Sequence, residues 1–251
     1  MARPGDAAGR LSSIGRRRRR WRALVGLGLG LLALWTAYEW WTWPDVAALG
    51  RRNPTTTAFI EHYRQRQRAA GRSDRVDWTW TPYPSISPHV KRAVLVAEDI
   101  NFFAHRGFEL TEIRNVLEQA LEEGELRRGA STITQQLARN LWLSPSRNPI
   151  RKLEEAILTW QLERRLDKRR ILELYLNVAE LGRGTYGVGA GSRRYFGKPA
   201  ADLGPEEAAQ LAASLPAPTA WHPGSGSRAY AEHAARILRR MAKADFLWKQ
   251  I

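Results

Sequence analysis

The chain of 251 residues has no cysteine, which excludes disulfide scaffolds and thiolate-ligated zinc. It is poor in acid, with 25 Asp and Glu against 40 Lys and Arg and a formal net charge of +15. It has no internal repeat and no strand-rich block, so the fold class is mainly α. Glycines bunch at Gly182–Gly191 without P-loop or dinucleotide spacing, which removes a nucleotide cradle and leaves a turn. His105 has no second ligand at suitable spacing and reads as a structural hydrogen-bonder, so no metal centre is expected.

What is present begins with charge. Residues 1–22 hold eight arginines against Asp6, five of them in the block Arg16–Arg20, and an apolar run follows from Ala23 to Tyr38. Continued to Trp43, the run has roughly the twenty residues a spanning helix needs. Trp35, Trp40, Trp41 and Trp43 sit at its far end like an interfacial belt, and the arginines mark the cytoplasmic side. No small-x-small cleavage site follows, which favours an anchor over a removed signal peptide. The chain divides into a basic cytoplasmic tail (1–22), an N-terminal transmembrane helix (23–43), a connector (44–74) and a domain (75–251) outside the cytoplasm, which for the family resembled below means the periplasmic side of the inner membrane. There a basic chain meets anionic lipid or a phosphorylated lipid-linked substrate, and nucleic acid is not expected.

Helical signals dominate the rest. Some helix is expected near Val46–Gln67, and Trp78–Pro84 reads as extended. Ser87-Pro88 is an N-cap with a first-position proline leading to Glu98. Leu110–Leu126 has helical spacing, Pro149 opens a helix through Leu166, and Asp167-Lys168 breaks before Ile171–Val178. That last helix is expected to end in an Asn177 cap. Further helices start at Pro205 and span Tyr230–Phe246. Leu141-Trp142-Leu143 reads either as core or as a patch dipping into lipid beside the anchor.

Three features carry chemistry. Glu98 closes the apolar run Ala93–Ala97, and a low-dielectric wall raises a carboxyl pKa toward the range useful for proton transfer. Ser131–Gln136 is uncharged, rich in hydroxyls and amides and without a clean amphipathic period, which suits a surface that hydrogen-bonds sugar or phosphate. Arg151, Lys152 and Glu155 open a helix. They read either as a surface ion pair or as a cationic helix start for a pyrophosphate. Paired carboxylates make sugar chemistry the natural class.

These stretches resemble the motifs of glycosyltransferase family 51, the peptidoglycan transglycosylases. Glu98-Asp99-x-x-Phe102-x-x-His105-x-Gly107-Phe108 is similar to the first motif and Gly129-Ala-Ser131-Thr132-Ile-Thr-Gln135-Gln136 to the second. Arg151-Lys152-x-x-Glu155, Lys168-x-x-Ile-Leu-Glu173-x-Tyr-Leu-Asn177 and Tyr195-Phe196-Gly197-Lys198 resemble the remaining three, in the family's order over residues 75–245. No transpeptidase motifs follow, so the resemblance is to the monofunctional branch.

The resemblance implies a lysozyme-like helical domain with a membrane-proximal jaw. It implies polymerisation of lipid II onto a growing lipid-linked glycan strand, with inversion and release of undecaprenyl pyrophosphate. Glu98 would be the general base and Glu155 would orient the donor pyrophosphate, with a divalent cation (Mg or Mn) as a possible companion. Arg139, Arg151 and Lys152 would neutralise the leaving group. Ser131, Thr132, Gln135 and Gln136, with Asp99, Phe102 and His105, complete the substrate-binding set. Division or cell-wall synthesis proteins are implied partners. The rival readings are a lytic lysozyme-like hydrolase and a non-catalytic membrane scaffold. The chain departs from the family pattern in Arg139 where Lys is usual, in Asn115, and in Gly189 and Gly191, which suggest a more mobile loop.

Overall fold

The computed structural model describes residues 25–31, 33–34, 37, 41–109, 131–145 and 149–251. It contains two compact units, Met1–Asp45 and Val46–Ile251. In the first, the described residues from 25 to 42 are helical, and Val25, Leu27, Leu29, Leu31, Leu34 and Trp41 are exposed. Among the described residues no helix is long and apolar enough to cross a membrane. The basic tail, much of the 23–43 segment, the expected helix Leu110–Leu126 and Asn115 lie outside the described residues.

The second unit is mainly helical. Its helices are α1 (Ala58–Ala69), α2 (Pro88–Glu98), α3 (Ile133–Trp142), α4 (Pro149–Arg165), α5 (Lys168–Val178), α6 (Gly187–Phe196), α7 (Pro205–Ala213) and α8 (Arg228–Met241), with 3-10 turns at Val46–Gly50, Tyr83–Ser85, Ala200–Asp202 and Asp245–Lys249. Three short strands, β1 (Asp77–Trp78), β2 (Glu180–Gly182) and β3 (Thr185–Tyr186), form one sheet with β3 in the middle, parallel to β1 and antiparallel to β2.

Two helix groups make the core. In one, α2 packs on α7 and α7 on α8. Val90 and Ala93–Val96 of α2 are buried against the small face of α7, where Ala208, Ala209, Ala212 and Ala213 let the helices approach closely. In the other, α3 packs against α4 and α5 through Ile133, Leu137, Leu141, Leu158, Leu162, Ile171 and Leu174. The expected starts at Ser87-Pro88, Pro149 and Pro205 are where α2, α4 and α7 begin, whereas α5 starts at Lys168, inside the expected break, with Asp167 as its cap. Ser87 Oγ caps α2 by accepting from His89 N and donates to Leu203 O at 2.7 Å, tying α2 to the segment before α7. Buried Arg92 reaches across to the end of α8. It donates to Met241 O and Asp245 and lies 4.6 Å from the Trp248 ring centroid.

Several sequence expectations are corrected. The 44–74 segment is built into this unit from Val46 on, because Ile60 and Tyr63 of α1 pack against Tyr186. The Gly182–Gly191 turn is a hairpin followed by α6, and Gly189 and Gly191 are buried in that helix. A Cβ at Gly189 would lie 2.2 Å from Thr81 Oγ1, so this departure permits tight packing of α6 against the segment after β1 and leaves no mobile loop. Asn177 does not cap α5; fully buried, it accepts from Thr81 N at 2.7 Å and donates to Thr81 O at 2.9 Å. The last expected helix divides into α8 and the 3-10 turn at Asp245–Lys249. Leu141 and Leu143 are core.

Candidate active site

Glu98 ends α2. Asp99 N donates to Leu95 O, closing the helix, and the extended backbone of Asp99 (φ −163) turns the chain away, so Glu98 leaves the apolar wall at a helix end. Its Oε2 accepts from Gln136 Nε2 at 2.7 Å, and Gln136 Oε1 accepts from Tyr175 Oη at 2.9 Å. Burial, and to a smaller degree the charge of Asp99, push the Glu98 carboxyl up; the Gln136 bond and the Arg139 charge pull the other way and lose. Tyr175, 1% exposed, is held well above its usual range by burial and by Glu98, so it stays a neutral donor.

The next residues form a clasp. Gly107 N donates to His105 Nδ1 at 3.0 Å, which puts the imidazole proton on Nε2, facing the Asp99 oxygens at 2.9 and 3.0 Å. Asp99 Oδ2 also accepts from Ile133 N at 3.0 Å, placing an anion at the positive end of α3. Thr132 Oγ1 donates to Gly107 O at 2.7 Å, which Gly107 permits with φ +85. Thr132 and Gln135 cap α3 reciprocally. Phe102 is fully buried, edge-on to His105 and under the Lys168 ammonium at 4.3 Å.

The Ser131–Gln136 stretch is therefore the capped start of a largely buried helix. The expectation that this stretch would not make a core helix is corrected, because Thr132, Thr134 and Gln136 find distant protein partners, while Ser131, Thr132 and Gln136 still line cavities. Thr134 donates to Glu163 at 2.5 Å, and Glu163 also takes Lys168 at 2.8 Å. Asp99, Phe102, His105, Thr132 and Gln135 are oriented by protein contacts, with Asp99 and Thr132 each keeping one edge on a cavity. Asp99, His105 and Glu109 bring ligand atoms within 4.8 Å of one another. With its proton toward Asp99, His105 Nε2 is a donor there and not a lone-pair ligand.

Two cavities flank the Glu98–Gln136 pair. One, about 200 Å³, is lined by Glu98, Ser131, Thr132, Asn101, Glu109 and Arg240. The other, about 400 Å³, is lined by Gln136, Arg139, Asn140, Arg151, Tyr175 and Glu180. Glu98 lies in the first, with Arg240 beside it, and Arg139 and Arg151 lie in the second, with Glu180. Glu155 is 1% exposed and lines neither; it accepts from Arg151 NH1 at 3.3 Å and from Lys152. The surface-pair alternative fails on that burial. Arg151 keeps a buried Nε without a partner among the described residues, while Lys152 is largely exposed and lines neither cavity.

Sequence reasoning missed Tyr175, Glu180 and Arg240. Tyr175 stands in the fourth motif without being singled out, and its bond to Gln136 in three dimensions gives it a role. Glu180, raised by burial at the second cavity, follows a helix end with no local motif to mark it. Arg240 is one of several basic residues on α8.

The sequence model of the transglycosylase family matches residues 65–242. A biosynthetic peptidoglycan transglycosylase of Azoarcus sp. is 44% identical over 225 residues, covering 90% of this chain and 97% of that protein. The protein of the same name from Aromatoleum aromaticum is 44% identical, with 88% and 97% covered. That from Neisseria gonorrhoeae is 38% identical, with 88% and 94% covered.

Proposed function

The chain belongs to the transglycosylase family and is a peptidoglycan glycosyltransferase, and we propose that it polymerises lipid II with Glu98 as general base. In this reading the acceptor's sugar 4-hydroxyl enters the cavity beside Glu98 and gives its proton to the carboxylate. The oxygen attacks the donor's anomeric carbon from the face opposite the pyrophosphate, so configuration inverts and undecaprenyl pyrophosphate leaves. The observation that carries the reading is the division of labour across one hydrogen bond. A base with a raised pKa faces one cavity, and Gln136, bonded to it, faces another that holds Arg139 and Arg151. Cations already in place where negative charge grows lower the barrier without reorganisation.

Glu155 acts in this scheme by holding Arg151. Of the two motif carboxylates, Glu155 is engaged as a counter-ion of Arg151 and Lys152 and is not free to be the second acid of a lytic hydrolase. The same engagement does not fit a resident divalent cation on Glu155; a Mg or Mn ion would arrive with the pyrophosphate.

We place the domain at the outer face of the inner membrane, tethered by residues 23–43. Support comes from the arginine block, the exposed apolar residues of the first unit, and a stripe on α4. Ile150, Leu153, Ile157 and Trp160 follow helical spacing there and are exposed beside Arg164 and Arg165. The lysozyme-like architecture with a membrane-proximal jaw, and cell-wall synthesis proteins as partners, belong to the same proposal.

The test is incubation of detergent-solubilised protein with labelled lipid II. Wild type is expected to make polymer and Glu98→Gln to make none above about 1% of that rate. Comparable polymer from both removes Glu98 from the chemistry.

A further inference from the structure

On a different part of the domain, α4 ends and α5 begins against the turn at Tyr83–Ser85. A cavity of about 460 Å³ opens there, lined by Gly50, Tyr83, Arg165, Arg169, Arg170 and Glu173 among others. Its acidic groups are engaged. Asp167 accepts from Arg170 N at 2.8 Å as the α5 cap. Glu173 takes Tyr83 N at 3.2 Å on one oxygen and Arg170 NH1 at 2.8 Å on the other. Arg170 is saturated further by Leu49 O, Arg52 O and Asn53.

The remaining donors have no protein acceptor among the described residues. Tyr83 Oη is buried and has no hydrogen-bond partner among the described residues. Arg165 and Arg169, both exposed, form no ion pair among the described residues. Lys91, only 6% exposed, places its ammonium 4.0 Å from the centroid of the Tyr83 ring, and no carboxylate pairs with it among the described residues. Burial and the nearby Arg169 charge both push the Lys91 ammonium down. A buried hydroxyl without an acceptor costs free energy, and so do like charges gathered at a low-dielectric wall. One anion in the cavity relieves both.

We propose that this cavity is a phosphate-binding site separate from the catalytic cavities, taking a phosphate mono- or diester on Arg165, Arg169 and the Tyr83 hydroxyl. Lys91 contributes its field from behind the tyrosine. Guanidinium groups suit a phosphate by bidentate geometry, and the tyrosine supplies a neutral donor. The phosphate's source is either an anionic phospholipid headgroup or a soluble phosphate.

The experiment uses the full chain in neutral detergent, with Arg165→Gln/Arg169→Gln and Tyr83→Phe as variants. One arm follows thermal unfolding against inorganic phosphate and glycerol phosphate, with sodium chloride matched for ionic strength. The other follows retention on phosphatidylcholine vesicles with and without phosphatidylglycerol. All proteins share the same arginine block, so only differences between them count. Phosphate is expected to raise the wild-type melting temperature by on the order of 5 °C at about a hundredfold excess over half-saturation. The double variant should need at least ten times more.

Tyr83→Phe should melt at or above wild type without phosphate, since an unsatisfied hydroxyl is removed, yet bind phosphate several-fold more weakly. A shift with soluble phosphates assigns the soluble source. Absence of that shift, with phosphatidylglycerol-dependent retention reduced in both variants, assigns the lipid headgroup. Equal behaviour of wild type and variants in both arms overturns the site, whatever happens to polymerisation.

Discussion

Gln136 donates its amide N–H to Glu98 at 2.7 Å while its carbonyl accepts from Tyr175 at 2.9 Å. The tyrosine therefore sets which end of the amide meets the base. With the amide so turned, the ionised carboxylate is the favoured partner. A reversed amide would put oxygen against oxygen and favour the protonated acid.

The pH dependence of turnover follows. The base must be ionised, so kcat/KM should fall as pH drops through the raised Glu98 pKa. Gln136→Leu removes a bond that holds that pKa down, and should move the acid limb to higher pH. Tyr175→Phe, which frees the amide to turn, should move it the same way by less. Rates of lipid II polymerisation across pH check this; an unmoved limb in both variants would show that the amide does not tune the base.

Glu98→Gln separates stability from activity. A carboxyl whose pKa is raised on folding binds its proton more tightly in the folded state. Its ionisation therefore erodes stability as pH rises from the ordinary 4.5 through the folded value. At neutral pH the glutamine variant should melt at or above wild type, and below that window the difference should vanish. Turnover should fall by about 10²-fold or more. Thermal melts at two pH values, run beside the activity assay, decide it.

Arg151→Ala is expected to lower both stability and rate. Glu155 is buried, so losing Arg151 leaves it only Lys152, at a cost on the order of 1–3 kcal/mol. Turnover per folded molecule should drop by roughly 10²-fold because a cation leaves the second cavity. Arg151→Lys should recover part of the rate. Lower melting with unchanged turnover per folded molecule would confine Arg151 to structure.

Glu163 makes a purely structural contrast. It joins Thr134 of α3 to Lys168 of α5 from within α4, and Glu163→Ala strands both partners. The loss should be on the order of 3 kcal/mol in denaturant unfolding, as for a buried pair broken on one side. A loss below about 1 kcal/mol would mean that Lys168 finds another partner.

Helix starts were legible in the sequence because their signals are local: Ser87-Pro88, Pro149, Asp167 and Pro205 each announce an end within a few residues. The Glu98 environment was legible for the same reason, since the apolar run precedes it directly. The character of Ser131–Gln136 was not. Thr134 and Gln136 look like surface groups until Glu163 and Glu98, 29 and 38 residues away, supply their partners. Gly189 reads as loop until Thr81 is seen against it. Asn177 reads as a cap until the Thr81 backbone takes its side chain. In each case a non-local hydrogen bond or close approach overrode a local tendency.

The bridge from Arg92 to Met241 and Asp245 also sets an order of events during biosynthesis. Its partners are translated 149 and 153 residues after the arginine. At ribosomal speeds that is a wait of roughly 10 to 30 s. Through that interval the long cation of the helix bearing Glu98 has no closing partner, while its apolar face meets α7 earlier. The α2 contacts made by Arg92 are thus completed only when the end of α8 and the turn after it arrive, and a nascent chain stalled before α7 would display the apolar face of α2 to chaperones or proteases.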